Sequence, residues 1–140
     1  IDCEIRSFYQ DIYQKFKAAH LVITRSGGSS VAEILASNRP VIFVPFPESL
    51  DDHQLENAKF IQQNKGGWIV TQKENVDDDF KNLIECILNN PKKLLEASNQ
   101  IKNLSNKLDL IRENQTASKS LSNLVLNVIN LNQKAFSKSC

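Results

Sequence analysis

Hydrophobic positions along the chain fall into two regimes, with a change of pattern near residue 75. In the first, short continuous apolar runs alternate with helical periodicity. "LVIT" (21–24) and "VIFVP" (41–45) are unbroken and rich in β-branched residues, the pattern of strands buried on both faces of a parallel sheet. "WIV" (68–70), directly after Gly66 and Gly67, reads as a third, shorter strand, and "EIRSF" (4–8) offers a fourth. Helices are predicted near 10–19, 30–37 and 52–64. Strands and helices alternating through short connections predict the α/β class: a Rossmann-like parallel sheet of three to four strands with flanking helices.

The second regime is helical only. Phe80, Leu83, Ile84, Ile87 and Leu88 follow the i, i+3, i+4, i+7, i+8 spacing of one apolar helix face. Pro91 suits the first turn of a further helix that turns Leu94, Leu95, Ile101 and Leu104 inward. A last helix is predicted near 116–131 with Leu121, Leu124, Val125, Val128 and Ile129, and the polar tail from 133 to 140 is expected to fray. The organisation expected is a single partial domain over 1–140, with an α/β part at 1–75 and a helical part at 76–132. The chain opens without the strand and glycine-rich phosphate turn that normally start a doubly wound sheet, so it reads as a domain entered part-way through.

Composition removes several function classes. The 140 residues suffice for one ordinary domain with a core, and the formal net charge is +1 with Lys and Arg scattered among Asp and Glu, which gives no nucleic-acid footprint. No apolar run approaches the roughly 20 residues of a membrane-spanning helix, so the chain is expected to be soluble. Three cysteines (Cys3, Cys86, Cys140) lie far apart without a CxxC, and two histidines stand without nearby cysteines or spaced acids, so no metal site is expected.

Ligands of open α/β sheets bind at the carboxyl ends of the strands. "RSGGSS" (25–30) stands at such an end, directly after "LVIT". Gly27 and Gly28 allow a ligand to approach the backbone, and a helix starting at about Ser29 or Ser30 points its free N–H groups and positive dipole end into the same crevice. That is a seat for a phosphate, although it is neither a GK[ST] loop nor a GxGxxG. Glu33 carries two readings. Ser30-Val31-Ala32-Glu33 matches the S-x-x-E capping box, in which the acid closes a helix end. Alternatively, its two oxygens accept from the paired hydroxyls of a ribose.

"PFPESLDDHQLENA" (45–58) lies at the same sheet edge, after the next apolar run. Asp51 or Asp52 can cap the helix it opens, which places His53, Gln54 and Asn57 in the first turns, with 53 and 57 on one face. Such amides suit a sugar's hydroxyls, while a solvated polar helix start is the plainer reading of His53. A Ser-His-Asp hydrolase is disfavoured because no G-x-S-x-G elbow is present.

"LVITRSGGSSVAEI", "RPVIFVPFP" and "DDHQLENAKFI" together resemble the MurG family, bacterial transferases that add N-acetylglucosamine (GlcNAc) to the lipid-linked muramyl-pentapeptide precursor of peptidoglycan. The specific likeness runs from about residue 8 to 72. It implies the donor-binding, C-terminal part of an inverting GT-B glycosyltransferase that uses UDP-GlcNAc and no metal. It also implies that Glu33 holds the ribose and that Gly28, Ser29 and Ser30, within the loop from Arg25 through Ser26 and Gly27, face the diphosphate. Gln54, with His53 beside it and Asn57 a turn later, would face the GlcNAc. Tyr9 would border the uracil through its main chain. His20 stands where the family more often has an acid, and Asn38 where a glycine is usual. The resemblance further implies that the catalytic groups and the site for the undecaprenyl-linked acceptor lie in an N-terminal half absent here, so that this fragment alone is expected to be inactive. The full-length enzyme would sit peripherally on the cytoplasmic face of the inner membrane. Two alternatives stay open: the donor-binding subunit of a eukaryotic-type dolichol-linked GlcNAc transferase, and a non-catalytic nucleotide-sugar-binding module.

Overall fold

The computed structural model describes residues 2–47, 53–72 and 76–115. The apolar runs form three parallel strands, β1 (Val22–Thr24), β2 (Val41–Phe43) and β3 (Gly67–Ile69), in the order β1-β2-β3. Val22, Val41 and Gly67 stand in register, as do Ile23, Ile42 and Trp68. All three residues of β2 are fully buried, as expected of a central strand covered on both faces. The helices α1 (Ile12–Ala18), α2 (Gly28–Ser37), α3 (His53–Gln63), α4 (Val76–Leu88) and α5 (Lys92–Gln115) complete the α/β architecture.

Side chains alternate across the sheet. Ile42 joins Val70 and Ile87 in a buried cluster that Val76, Phe80, Leu83 and Ile84 of α4 and Leu94 of α5 cover. Ile34 of α2, Ala58 and Ile61 of α3, and Ile101 of α5 are also buried completely. Residues 1–105 form one compact unit, and α5 continues from there into a second unit, 106–140, described only as helix up to 115.

Four sequence expectations are corrected. Residues 4–8 are not a strand: Ile5 and Phe8 are 89% and 75% exposed, and the segment pairs with no strand among the described residues. Its two apolar residues are a local signal only, and a strand requires a ladder partner. Helix α2 starts at Gly28, before Ser29 or Ser30, with Gly27 as its N-cap. Leu88, the last residue of α4, is 68% exposed, because the chain turns away directly after it. Leu95 is 64% exposed, because the inward stripe of α5 runs Leu94, Ala97, Ile101, Leu104 and leaves its neighbour about 100° away. The helix predicted near 116–131 and the tail lie outside the described residues.

Both inner helix ends are closed by left-handed residues other than glycine. Asn38 (φ 55°) ends α2, and its N–H bonds to the Ile34 carbonyl. Lys65 (φ 58°) ends α3 in a Schellman arrangement, with Gly66 N–H on the Ile61 carbonyl and Lys65 N–H on that of Gln62.

Candidate functional site

Each strand ends at the same edge of the sheet, and Arg25, the first residue after β1, ties those ends together. Its Nη1 donates to the carbonyls of Val44 (3.0 Å) and Pro45 (3.2 Å), just past β2, and to Gln72 Oε1 (2.7 Å), just past β3. Its guanidinium also lies 5.5 Å from the ring centroid of Phe46. The sequence shows no sign of this bridge, because Gln72 sits 47 positions downstream of its partner.

From Arg25 the chain passes through Ser26 and Gly27 into α2. The N-cap is a glycine with no side chain to offer, the first turn holds no acid, and Val31 is the first residue whose N–H finds a carbonyl within the helix (Gly27, 3.0 Å). Consequently the N–H groups of Gly28, Ser29 and Ser30 have neither an intrahelical acceptor nor a side-chain cap among the described residues. Gly28 and Ser29 are exposed and Ser30 is half-buried. A Cβ built on Gly27 or Gly28 would meet no atom within 4 Å, and neither glycine has a positive φ.

Glu33 lies in the second turn of α2, on the face it shares with Ser29 and Ser30. With the helix starting at Gly28, Ser30 is the third helical residue and no longer a cap, so the capping box is not formed. Glu33 is half-buried and makes no hydrogen bond or ion pair among the described residues.

Helix α3 is brought against this loop by hydrogen bonds in both directions. Ser26 Oγ donates to the Gln54 carbonyl at 2.7 Å, and Asn57 Nδ2 donates to the Ser26 carbonyl at 3.0 Å. The Phe46 N–H, in the stretch after β2, donates to Gln54 Oε1 at 3.0 Å. Ser26 is fully buried, Gln54 and Asn57 are half-buried, and His53 is exposed at the start of α3. The expected cap at Asp51 or Asp52 lies outside the described residues. The two segments singled out in the sequence are therefore joined in space. The inward direction of Ser26 and Asn57 escaped sequence reasoning, since it depends on a contact spanning about 30 residues.

Tyr9 lies on the segment before α1. Its hydroxyl donates to the Glu4 carbonyl at 3.1 Å, and its ring has Arg6 and Lys15 within 5.7 and 5.5 Å of the centroid. Lys15 Nζ also donates to Glu4 Oε2 at 2.8 Å, which raises the lysine pKa above its ordinary value.

Comparison with known proteins places this geometry. The family described as the glycosyltransferase family 28 C-terminal domain matches residues 1–114. The UDP-N-acetylglucosamine--N-acetylmuramyl-(pentapeptide) pyrophosphoryl-undecaprenol N-acetylglucosamine transferase of Wolbachia pipientis subsp. Culex pipiens is 39% identical over 102 residues, covering 73% of this chain and 30% of that protein. The protein of the same description from Pseudoalteromonas atlantica is 36% identical over 79% of this chain and 29% of its own length. Among solved structures, that of Acinetobacter baumannii MurG aligns with a TM-score of 0.60 at 28% identity, covering 79% of this chain and 33% of that one. The chain thus spans under a third of the length of these curated relatives.

Proposed function

The chain belongs to the glycosyltransferase family 28 C-terminal domain family, and on that premise we propose that it forms the UDP-GlcNAc-binding part of the transferase that adds GlcNAc to undecaprenyl-diphosphate-linked muramyl-pentapeptide. The observation that carries this reading is the start of α2. Three N–H groups without partners among the described residues, behind two glycines facing open space, stand at the carboxyl edge of a parallel sheet. Glu33 follows on the same helix with its carboxylate uncommitted among the described residues.

In the proposed complex the diphosphate sits on the N–H groups of Gly28, Ser29 and Ser30. Glu33 accepts from the two ribose hydroxyls, and the first turns of α3, through Gln54 and His53, face the sugar. The main chain at Tyr9 borders the uracil. The acceptor's C4 hydroxyl attacks the anomeric carbon from the opposite side, and the bond from that carbon to the diphosphate oxygen breaks. The helix N-terminus stabilises the charge that gathers on the departing UDP. The hydroxyl proton passes to a base outside this chain. The relatives are named for an undecaprenol-linked acceptor, so we place the full-length enzyme peripherally on the cytoplasmic face of the bacterial inner membrane. Among the described residues no helix is long and apolar enough to cross it.

Glu33→Ala tests the reading. Loss of a charge-assisted hydrogen bond should weaken UDP, measured by calorimetric titration, by roughly 10- to 150-fold. Because Glu33 caps nothing, the thermal midpoint should stay in place, and Glu33→Gln should keep part of the affinity. A lowered midpoint with unchanged UDP affinity would return Glu33 to a purely structural role.

A further inference from the structure

The opposite, amino edge of the sheet carries a cleft of about 280 Å³, between the chain entering β1 and β2 and the start of α5. Pro40, Pro91, Leu94 and Leu95 give it apolar walls, and Leu95 remains 64% exposed. Its polar groups are His20, Arg39 and Ser98, so a guanidinium and an imidazole line it and no carboxylate does. Ser98 is already committed: its Oγ donates to the Asn38 carbonyl at 2.8 Å and ties α5 to the turn before β2. Arg39 is not. A guanidinium has five N–H donors, and among the described residues Arg39 makes one hydrogen bond, from Nη2 to the Lys17 carbonyl. No carboxylate pairs with it there, and its Nε is buried without an acceptor. A buried donor left unpaired is uncommon in a folded protein, since it gives up water and gains nothing in return.

We infer that this cleft is a binding site for a small organic carboxylate with an apolar body. Charge sets the sign of the ligand: the fixed charge in the lining is the positive one of Arg39, and no acid in the lining competes for it. The guanidinium's planar array of N–H donors matches a carboxylate's two oxygens. Exposed His20 adds an imidazole N–H at the same cleft. The walls set the rest. Two prolines and two leucines offer nothing to a hydrated inorganic anion, whereas they cover a ring or a branched chain and remove it from water. The volume falls just below the roughly 300–1,000 Å³ of sites for drug-sized molecules, so the ligand is small. This site does not depend on the donor reading, because the candidate donor site lies beyond the other ends of the same strands.

The experiment follows amide proton–nitrogen correlation spectra of the isotope-labelled full chain during titration with phenylacetate, its neutral isostere phenylacetamide, and acetate. Phenylacetate should shift the signals of His20, Arg39, Leu95 and Ser98 and saturate at about millimolar, the affinity of a small ligand of ordinary efficiency. Phenylacetamide lacks the charge and acetate lacks the body, so each should bind at least about fivefold more weakly. Arg39→Gln should bring phenylacetate down to the level of the amide. Leu95→Glu sets a carboxylate at the cleft from an exposed position, and should weaken phenylacetate by about tenfold or more. It decides the matter if Arg39→Gln fails to fold. Equal affinity for the acid and the amide overturns the proposal, and so does acetate matching phenylacetate, which would reduce the cleft to a bare surface cation. Shifts centred on residues 28–33 overturn it too, as does a Leu95→Glu variant that binds like the wild type. No saturable shift up to about ten times the expected concentration, where a millimolar site is nearly full, also ends it.

Discussion

Two pairs of adjacent glycines punctuate the sheet, one at each end, and they answer to different demands. Gly66 and Gly67 lie where α3 ends and β3 begins, and both are buried. A Cβ on Gly67 would run into the Val41 carbonyl oxygen and come within 2.7 Å of Val41 Cγ1, while one on Gly66 would lie 2.6 Å from Ile101 Cγ1. Gly27 and Gly28 lie where β1 ends and α2 begins, and a Cβ on either would touch nothing. The first pair is required by the fold. Nothing among the described residues requires the second, neither packing nor a left-handed backbone. Sheets of this class bind ligands at the carboxyl ends of their strands, so a glycine pair that stands there with no reason among the described residues supports the proposed donor site. The difference teaches how to read a glycine: the surroundings of the missing Cβ separate a folding constraint from a binding one.

The contrast breaks most easily at Gly67. Val41 and Gly67 are paired across β2 and β3, and the obstacle to a methyl group is backbone, which cannot turn aside without moving the central strand. Gly67→Ala should lower stability by on the order of 1–3 kcal/mol or more, read from the urea midpoint. A variant as stable as the wild type would mean that the two strands can part at no cost, and the contrast would lose its stronger half. Gly66→Ala should come next, at about 1 kcal/mol, since its obstacle is the side chain of Ile101. That assignment can be sharpened by a double-mutant cycle. Combined with Ile101→Ala, which alone costs about 2–5 kcal/mol, the added methyl should be absorbed, so the pair loses less than the sum of the singles. Strict additivity would show that the Gly66 methyl is resisted by something other than Ile101.

The same contrast marks what sequence could and could not reveal. The three strands were legible because a continuous apolar run between turn signals leaves few other readings, although only β2 is buried throughout. In β1, where burial on both faces was expected, Ile23 is 51% exposed because that strand lies at the edge of the described sheet. Even so β3 begins at Gly67, since the ladder to Val41 and not the apolar run sets its start. Residues 4–8 misled because a short stretch with apolar residues cannot by itself supply a neighbouring strand. Glu33 was ambiguous for a related reason. The S-x-x-E spacing is a local rule, whereas the start of α2 at Gly28 leaves no capping box and the Ser26 hydroxyl is drawn to the Gln54 carbonyl. Those long-range bonds, together with the reach of Arg25 to Gln72, are the part of the site that no local pattern encodes. That the two segments lie together was readable from their places after successive parallel strands, but the wiring between them was not.

The smallest effect on folding is expected at Gly27, where the largest separation between folding and binding should appear. Its backbone (φ −63°, ψ 157°) is extended, a conformation β-branched residues adopt without strain. It makes no side-chain cap bond that a substitution could remove, and the space around its missing Cβ is open. Gly27→Val should therefore change stability by less than about 1 kcal/mol, the scale of exchanging one non-bonding N-cap residue for another. If the diphosphate lies against this backbone, the same isopropyl group stands in its way. UDP affinity should then fall by at least about tenfold, or about 1.4 kcal/mol. Calorimetry and urea unfolding on one preparation separate the outcomes. A variant that binds UDP normally but unfolds early would make Gly27 a folding residue like Gly67, and the difference between the two pairs would disappear. Normal stability with lost binding would fix the start of α2 as the surface the ligand meets.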